Sequence, residues 1–89
     1  MKAIISVIGK DTIGILAKVS TVCAENYATV SDVTQSILQD MFVMVMLVDI
    51  STSEAPFSAL SEELVALGDK MGLKILAMHE DIFNSMHNV

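Results

Sequence analysis

Between Met41 and Ile50 the chain is apolar at every position except Asp49. A strand with one wet face alternates apolar and polar residues, and this run does not. It therefore reads as a central strand with both faces covered, and a central strand needs neighbours on each side. Lys2 to Ile8 is a short run rich in β-branched residues, Ala28 to Gln39 is a longer one, and Leu73 to Met78 completes the set. In the second run the apolar residues change parity, from Val30 to Val33 and Ile37 and then to Leu38. That shift predicts a bulge or a bend near Ser31-Asp32. Gln39-Asp40 reads as the hairpin turn into the central strand.

Two segments have helical spacing. In Gly14 to Asn26, Ile15, Leu16, Val19, Val22 and Cys23 share one face, and Lys18, Thr21 and Glu25 share the other. Asn26 before Tyr27 suits a left-handed helix end. In Pro56 to Met71, Phe57, Leu60, Leu64, Leu67 and Met71 face inward, while Glu62, Glu63, Asp69 and Lys70 face water. Pro56 suits a first helical turn and Gly72 the position just past a helix end. Asp81 to Asn88 reads as a short last helix with Ile82, Phe83 and Met86 as its apolar side. The order β-α-β-β-α-β makes residues 1–89 one domain of class α+β. The expected architecture is the ferredoxin-like split βαβ, a four-stranded antiparallel sheet with strands one and three in the centre and both helices on one face. The other face still carries apolar side chains from one parity of Ile4/Ile8 or Ile5/Val7, and of Val43/Val45/Leu47 or Met44/Met46/Val48. A bare patch of that kind marks an interaction surface, and a symmetric dimer is the simplest way to cover it.

Composition narrows the function. A chain of 89 residues that is 53% hydrophobic cannot hide all of that surface as a small monomer, which again points to a partner. The net charge is −6, with scattered lysines and no arginine, so direct nucleic-acid binding is not expected. The lone Cys23 excludes an internal disulfide framework or a four-cysteine metal site and reads as a core residue. The N-terminal apolar run is too short for a signal peptide or a membrane span, so a cytoplasmic, non-membrane protein is expected. His79 and His87 lack metal-ligand spacing, and no carboxylate partner can be assigned to them. The methionines suit adaptable apolar packing, and Ser20, Ser31 and Ser36 have no histidine placed to activate them. No titratable pair is placed for acid–base work, so neither an enzyme nor a cofactor is expected. Other uses of the fold fail on residue type: no arginine for an acylphosphatase phosphate loop, no paired cysteines for a heavy-metal chaperone, no stacking aromatics for RNA recognition.

What remains is Gly9-Lys10-Asp11-Thr12-Ile13-Gly14-Ile15-Leu16, which joins the first strand to the first helix. A strand that turns through two glycines into a helix leaves backbone N–H groups without partners at the helix start, beside the positive end of its dipole. Such a turn suits a carboxylate or another small anion. The pattern of strand, Gly-x-Asp-x-x-Gly-Ile-Leu and helix resembles an ACT domain over nearly the whole chain. It is most similar to small stand-alone ACT proteins and to modules of the glycine-cleavage-system repressor type.

That resemblance implies a regulatory module that senses a small molecule, often an amino acid, at an interface between copies. Carried onto this sequence, the ligand would lie between the first turn of one copy and the second strand of another. Asp11 would contact an amino group, Gly14 would let the backbone approach, and the amides of Gly14, Ile15 and Leu16 would serve a carboxylate. Thr29 and Val30 would stand opposite. Two positions depart from the family pattern. Ile13 stands where many members have proline, and Thr29-Val30 where many have Asn-Ile. The residues also have plainer uses: Asp11 as a helix cap, Gly9 and Gly14 for the turn and close packing, Lys10 as a solvated charge. Two functions stay open at this point. One is a non-catalytic homodimeric or higher-order amino-acid sensor. The other is a protein-interaction or assembly module with no small-molecule ligand.

Overall fold

The computed structural model describes residues 2–10, 14–50, 57–81 and 85. Strand β1 (Lys2–Gly9) leads to helix α1 (Ile15–Glu25), then β2 (Thr29–Leu38), β3 (Met41–Asp49), helix α2 (Phe57–Met71) and β4 (Lys74–His79). The sheet order is β2-β3-β1-β4, and every neighbouring pair is antiparallel. This is the expected βαββαβ arrangement with strands one and three at its centre. Glu80, Asp81 and Ser85 are helical. The apolar side expected for a last helix (Ile82, Phe83, Met86) lies outside the described residues, as does Pro56.

The hydrophobic layer lies between the sheet and the two helices. Ala3, Ile5 and Val7 of β1 and Phe42, Met44, Met46 and Val48 of β3 are buried there. They pack with Ile15, Val19 and Cys23 of α1 and with Leu60 and Leu64 of α2. β3 departs from its sequence reading in one respect. It is central, but only alternate residues are fully buried, and Met41, Val43, Val45 and Leu47 remain half-buried on the far face. Apolar content on both parities hid an alternation that the helix layer imposes. Leu16 also departs from expectation: it is 39% exposed, while Ile15, Val19 and Cys23 carry the inner stripe of α1.

The bulge falls at the predicted place, between Val30 and Asp32 in the pairing of β2 with β3. Helix α1 ends one residue later in its left-handed step than the sequence suggests, with Tyr27 at φ 58 and Asn26 at φ −104. The Ala28 amide donates to the Cys23 carbonyl at 2.8 Å and the Tyr27 amide to the Ala24 carbonyl at 3.1 Å, a Schellman closure. Buried Asn26 is occupied otherwise: its Nδ2 donates to the Val22 carbonyl at 2.9 Å and to Glu63 Oε2 at 3.0 Å, tying α1 to α2.

Helix α2 closes in a similar way, with the Leu73 amide donating to the Gly68 carbonyl at 2.8 Å. Gly68 is there for proximity. A Cβ at this position would sit 2.8 Å from the Leu73 carbonyl oxygen and 3.0 Å from Ile75 Cγ1. Alanine normally favours a helix over glycine by about 1 kcal/mol. Forcing α2 off β4 costs about 1–3 kcal/mol, because a backbone atom must move. Gly68→Ala should therefore lower the unfolding free energy by up to about 2 kcal/mol in urea titration, the reverse of its helix propensity.

Candidate ligand-binding turn

Strand β1 delivers the chain to the turn at Gly9, which pairs with Phe42 of β3. Gly9 is buried, and a Cβ there would overlap Leu73 Cδ2, so this glycine serves packing against the residue that leads into β4. Lys10 follows, three-quarters exposed, with Nζ 3.9 Å from Asp40 Oδ2 in the hairpin turn. Ion pairs this exposed contribute little, in agreement with the reading of Lys10 as a solvated charge. Asp11, Thr12 and Ile13 lie outside the described residues.

Gly14 is the N-cap of α1, at φ 73 and ψ 6. Nothing lies within 4 Å of where its Cβ would be, so the backbone conformation alone calls for glycine. The Gly14 carbonyl accepts the first helical bond, from the Lys18 amide at 3.0 Å. The amides of Ile15, Leu16 and Ala17 precede that bond and have no acceptor within the helix. No acidic residue stands in the first helical turn to neutralise them. Among the described residues no buried side-chain nitrogen or oxygen lacks a partner.

The second half of the expected site is elsewhere. Register places Gly9, Phe42 and Ile37 in one row across the sheet, and Lys2, Asp49 and Thr29 in another. Seven residues of strand separate the rows, about 24 Å at the usual rise. Ile15 and Leu16 stay with Gly14 at the first end, and Thr29 and Val30 lie at the other. One chain cannot bring them together. Val30 pairs with buried Val48 and so lies on the helix side, whereas Thr29 pairs with Asp49 and points to the open side. Sequence spacing missed two exposed apolar residues at the Gly9 end of the sheet. Ile37 and Leu38, 71% and 70% exposed, project at the same sheet end on the unpaired edge strand β2. Their signal in the sequence was the parity change itself.

Other candidates resolve simply. Cys23 is fully buried, and burial pushes its thiol up from 9.0 to about 11, which leaves it protonated and inert. His79 does have a carboxylate nearby, contrary to expectation: Asp81 Oδ2 is 3.6 Å from its Nδ1. That nitrogen accepts the Asp81 amide at 3.1 Å, which makes the ring a local cap of the chain end of β4. No cluster of three His, Cys, Asp or Glu side chains suited to a metal occurs among the described residues. No helix among them is long and apolar enough to cross a membrane.

The family model of the ACT domain matches residues 2–77, from the first strand into the last. The chain belongs to the ACT-domain family. The relatives of this ACT domain are of its own size. The UPF0237 protein of Clostridium acetobutylicum is 47% identical over 89 residues, which is 100% of both chains. A solved ACT domain protein from Streptococcus pneumoniae superposes with a TM-score of 0.82 at 38% identity, covering 93% of each chain. The regulatory subunit of aspartate kinase from Thermus thermophilus shares the fold alone. It is 24% identical with a TM-score of 0.65, over 86% of this chain and 50% of that one.

Proposed function

We propose that this ACT domain is a non-catalytic regulatory module that binds an amino acid between two copies of itself. The observation that carries the reading is the left-handed Gly14 N-cap, which opens the amides of Ile15, Leu16 and Ala17, without acceptors inside the helix, at a helix start with no acid in its first turn. A zwitterion needs donors for its carboxylate and an acceptor for its ammonium, and Asp11 is the acceptor that the family resemblance supplies.

A second copy makes the arrangement whole. Strand β2 is an edge, and antiparallel pairing of two β2 edges about Val33 would set Thr29 and Val30 of one copy beside Ile37 of the other. Ile37 lies in the row of Gly9. Val30, on the helix side, would then face the α1 start across the interface, and Ile37 would lose its exposure. Thr29 would offer this side its main chain, its hydroxyl lying on the opposite face. The regulatory role of the aspartate kinase subunit that shares the fold supports the same class of function.

Binding at this seam would stabilise the native dimer. At ten times its Kd a ligand adds about 1.4 kcal/mol, which for a domain of this size raises Tm by about 5–10 °C. In a thermal-shift screen of the twenty amino acids, at least one should do this for the wild type and none for Asp11→Ala. No shift with any of them would refute the reading.

A further inference from the structure

We infer that the side chain of Asn26, tied to Glu63, is a positioning latch: it puts the left-handed step at the end of α1 on Tyr27, and so decides that Val30 rather than Thr29 faces the helix side of the sheet. The inference rests on the two-copy site proposed above for the use of that choice, though not for its test. Local preference opposes the arrangement. A left-handed residue at a helix end is usually glycine and sometimes asparagine, and a bulky side chain adopts that conformation at a cost. Yet Asn26 has φ −104, and its neighbour Tyr27 has φ 58. Tyr27 is 64% exposed, so its own packing does little to offset the cost. The offset comes from Asn26, which is 6% exposed. Its Nδ2 donates to the Val22 carbonyl at 2.9 Å and to Glu63 Oε2 at 3.0 Å. A hydrogen bond to a carboxylate contributes as much as the left-handed conformation costs, or more.

The competing closure lies one residue earlier, with Asn26 left-handed. The Tyr27 amide would then donate to the Val22 carbonyl. That acceptor is already held by Asn26, through Nδ2 and through its main-chain amide at 3.2 Å. A chain leaving α1 one residue earlier would set Ala28 opposite Asp49 and Thr29 opposite Val48, the places that Thr29 and Val30 now hold. Side chains alternate along a strand, so a step of one residue exchanges their faces. Strand β2 can take that step locally. Its register with β3 already shifts between Val30 and Asp32, and a bulge there absorbs a further residue without moving the pairs from Asp32 onward. The latch thus governs a two-residue segment, Thr29–Val30, lying between itself and the bulge. In the latched register half-buried Val30 pairs with Val48 and packs against the core. In the other register the Thr29 hydroxyl would come to that side instead. Asn26 therefore holds an apolar side chain, and withholds a hydroxyl, at the half of the proposed site that β2 supplies.

Solution NMR of the labelled protein tests this without any ligand. Backbone chemical shifts report which residue is left-handed, and cross-strand nuclear Overhauser effects report whether Thr29 lies opposite Asp49 or Val48. Wild type should show Tyr27 left-handed and Thr29 opposite Asp49. Asn26→Gly favours the left-handed conformation and has no side chain to anchor, so it should move the step to position 26 and Thr29 opposite Val48. Glu63→Ala should show both registers, with about 10% or more of the molecules in the shifted one. Glu63→Gln keeps an oxygen that accepts and should match wild type. Adding Tyr27→Gly to Glu63→Ala should restore the native register, because the left-handed step at position 27 then meets no side-chain penalty. Circular dichroism confirms that each variant folds, and if Asn26→Gly does not, the Glu63 variants decide. A folded Asn26→Gly or Glu63→Ala that keeps Tyr27 left-handed and Thr29 wholly opposite Asp49 overturns the inference. So does a Glu63→Gln that shifts as far as Glu63→Ala, since packing and not the hydrogen bond would then hold the register. The two readings fail separately. An amino-acid screen without a shift would remove the use of the latch and leave the latch standing, whereas a register indifferent to Asn26 would remove the latch and leave the binding turn standing.

Discussion

Met46→Asp should leave the chain unfolded at room temperature, whereas Val45→Asp, one residue earlier, should leave it folded. Met46 has no exposed surface and lies between the sheet and the helices, against the core that includes Val19, Leu60 and Leu64. Among the described residues no cation lines that layer, so a carboxylate placed there must either ionise without a partner or hold its proton at a raised pKa. A shift of 3–5 units corresponds to about 4–7 kcal/mol, and the lost methionine contacts add about 2 kcal/mol or more. A domain of this size has about 5–10 kcal/mol to lose. At Val45 the same carboxylate reaches water on the open face, and the cost to the single chain is about 1 kcal/mol. Far-UV circular dichroism with urea titration separates the two outcomes. A folded Met46→Asp would mean that β3 is turned over or slipped by one residue relative to the register given above.

That contrast also shows where sequence reading reached its limit. The unbroken apolar run of β3 was enough to make it central, and the flanking turn residues were enough to order the elements around it. Yet the same run, apolar at both parities, could not say which set faced the helices. Only the antiparallel register with β1 assigns Val43, Val45 and Leu47 to the open side. The bulge at Ser31 was visible because Val30 and Val33 break a period of two. The left-handed residue was misplaced by one, because asparagine usually takes that conformation, and here Asn26 is held by Val22 and Glu63 instead.

The candidate site divides along similar lines. Gly14 announces a helix start whose backbone geometry the structure then supplies. Nothing in the spacing of Gly14 and Thr29 along the chain reveals that they lie at opposite ends of the sheet. Distance across a sheet depends on register, and register is a property of pairs of strands. The separation bears on the proposed function: Gly14 and Thr29 of one chain lie at opposite ends of the sheet, so the proposal draws its two halves from two copies.

Cys23 gives the second large effect, and it depends on pH. Its thiol sits in the core with no exposed surface, and desolvation holds its pKa at about 11 against an ordinary 9.0. Between these values the unfolded chain releases the proton while the native protein keeps it. The contribution to stability is therefore complete below pH 9 and is lost as the pH rises to 11, where the native thiol also ionises. Two units correspond to about 2.7 kcal/mol. The comparison with Cys23→Ala isolates the thiol. The variant should be less stable at pH 7 by about 1–2 kcal/mol, for the small cavity it leaves, and should overtake the wild type near pH 10–11. Ellman's reagent offers a check at neutral pH. Folded wild type should react at least about a thousandfold more slowly than protein in urea, because the thiol meets the reagent only when α1 lifts from the sheet. Rapid labelling of the folded chain, or parallel pH profiles for wild type and Cys23→Ala, would place this sulfur outside the core and undo the packing of α1 on which the geometry of the Gly14 turn depends.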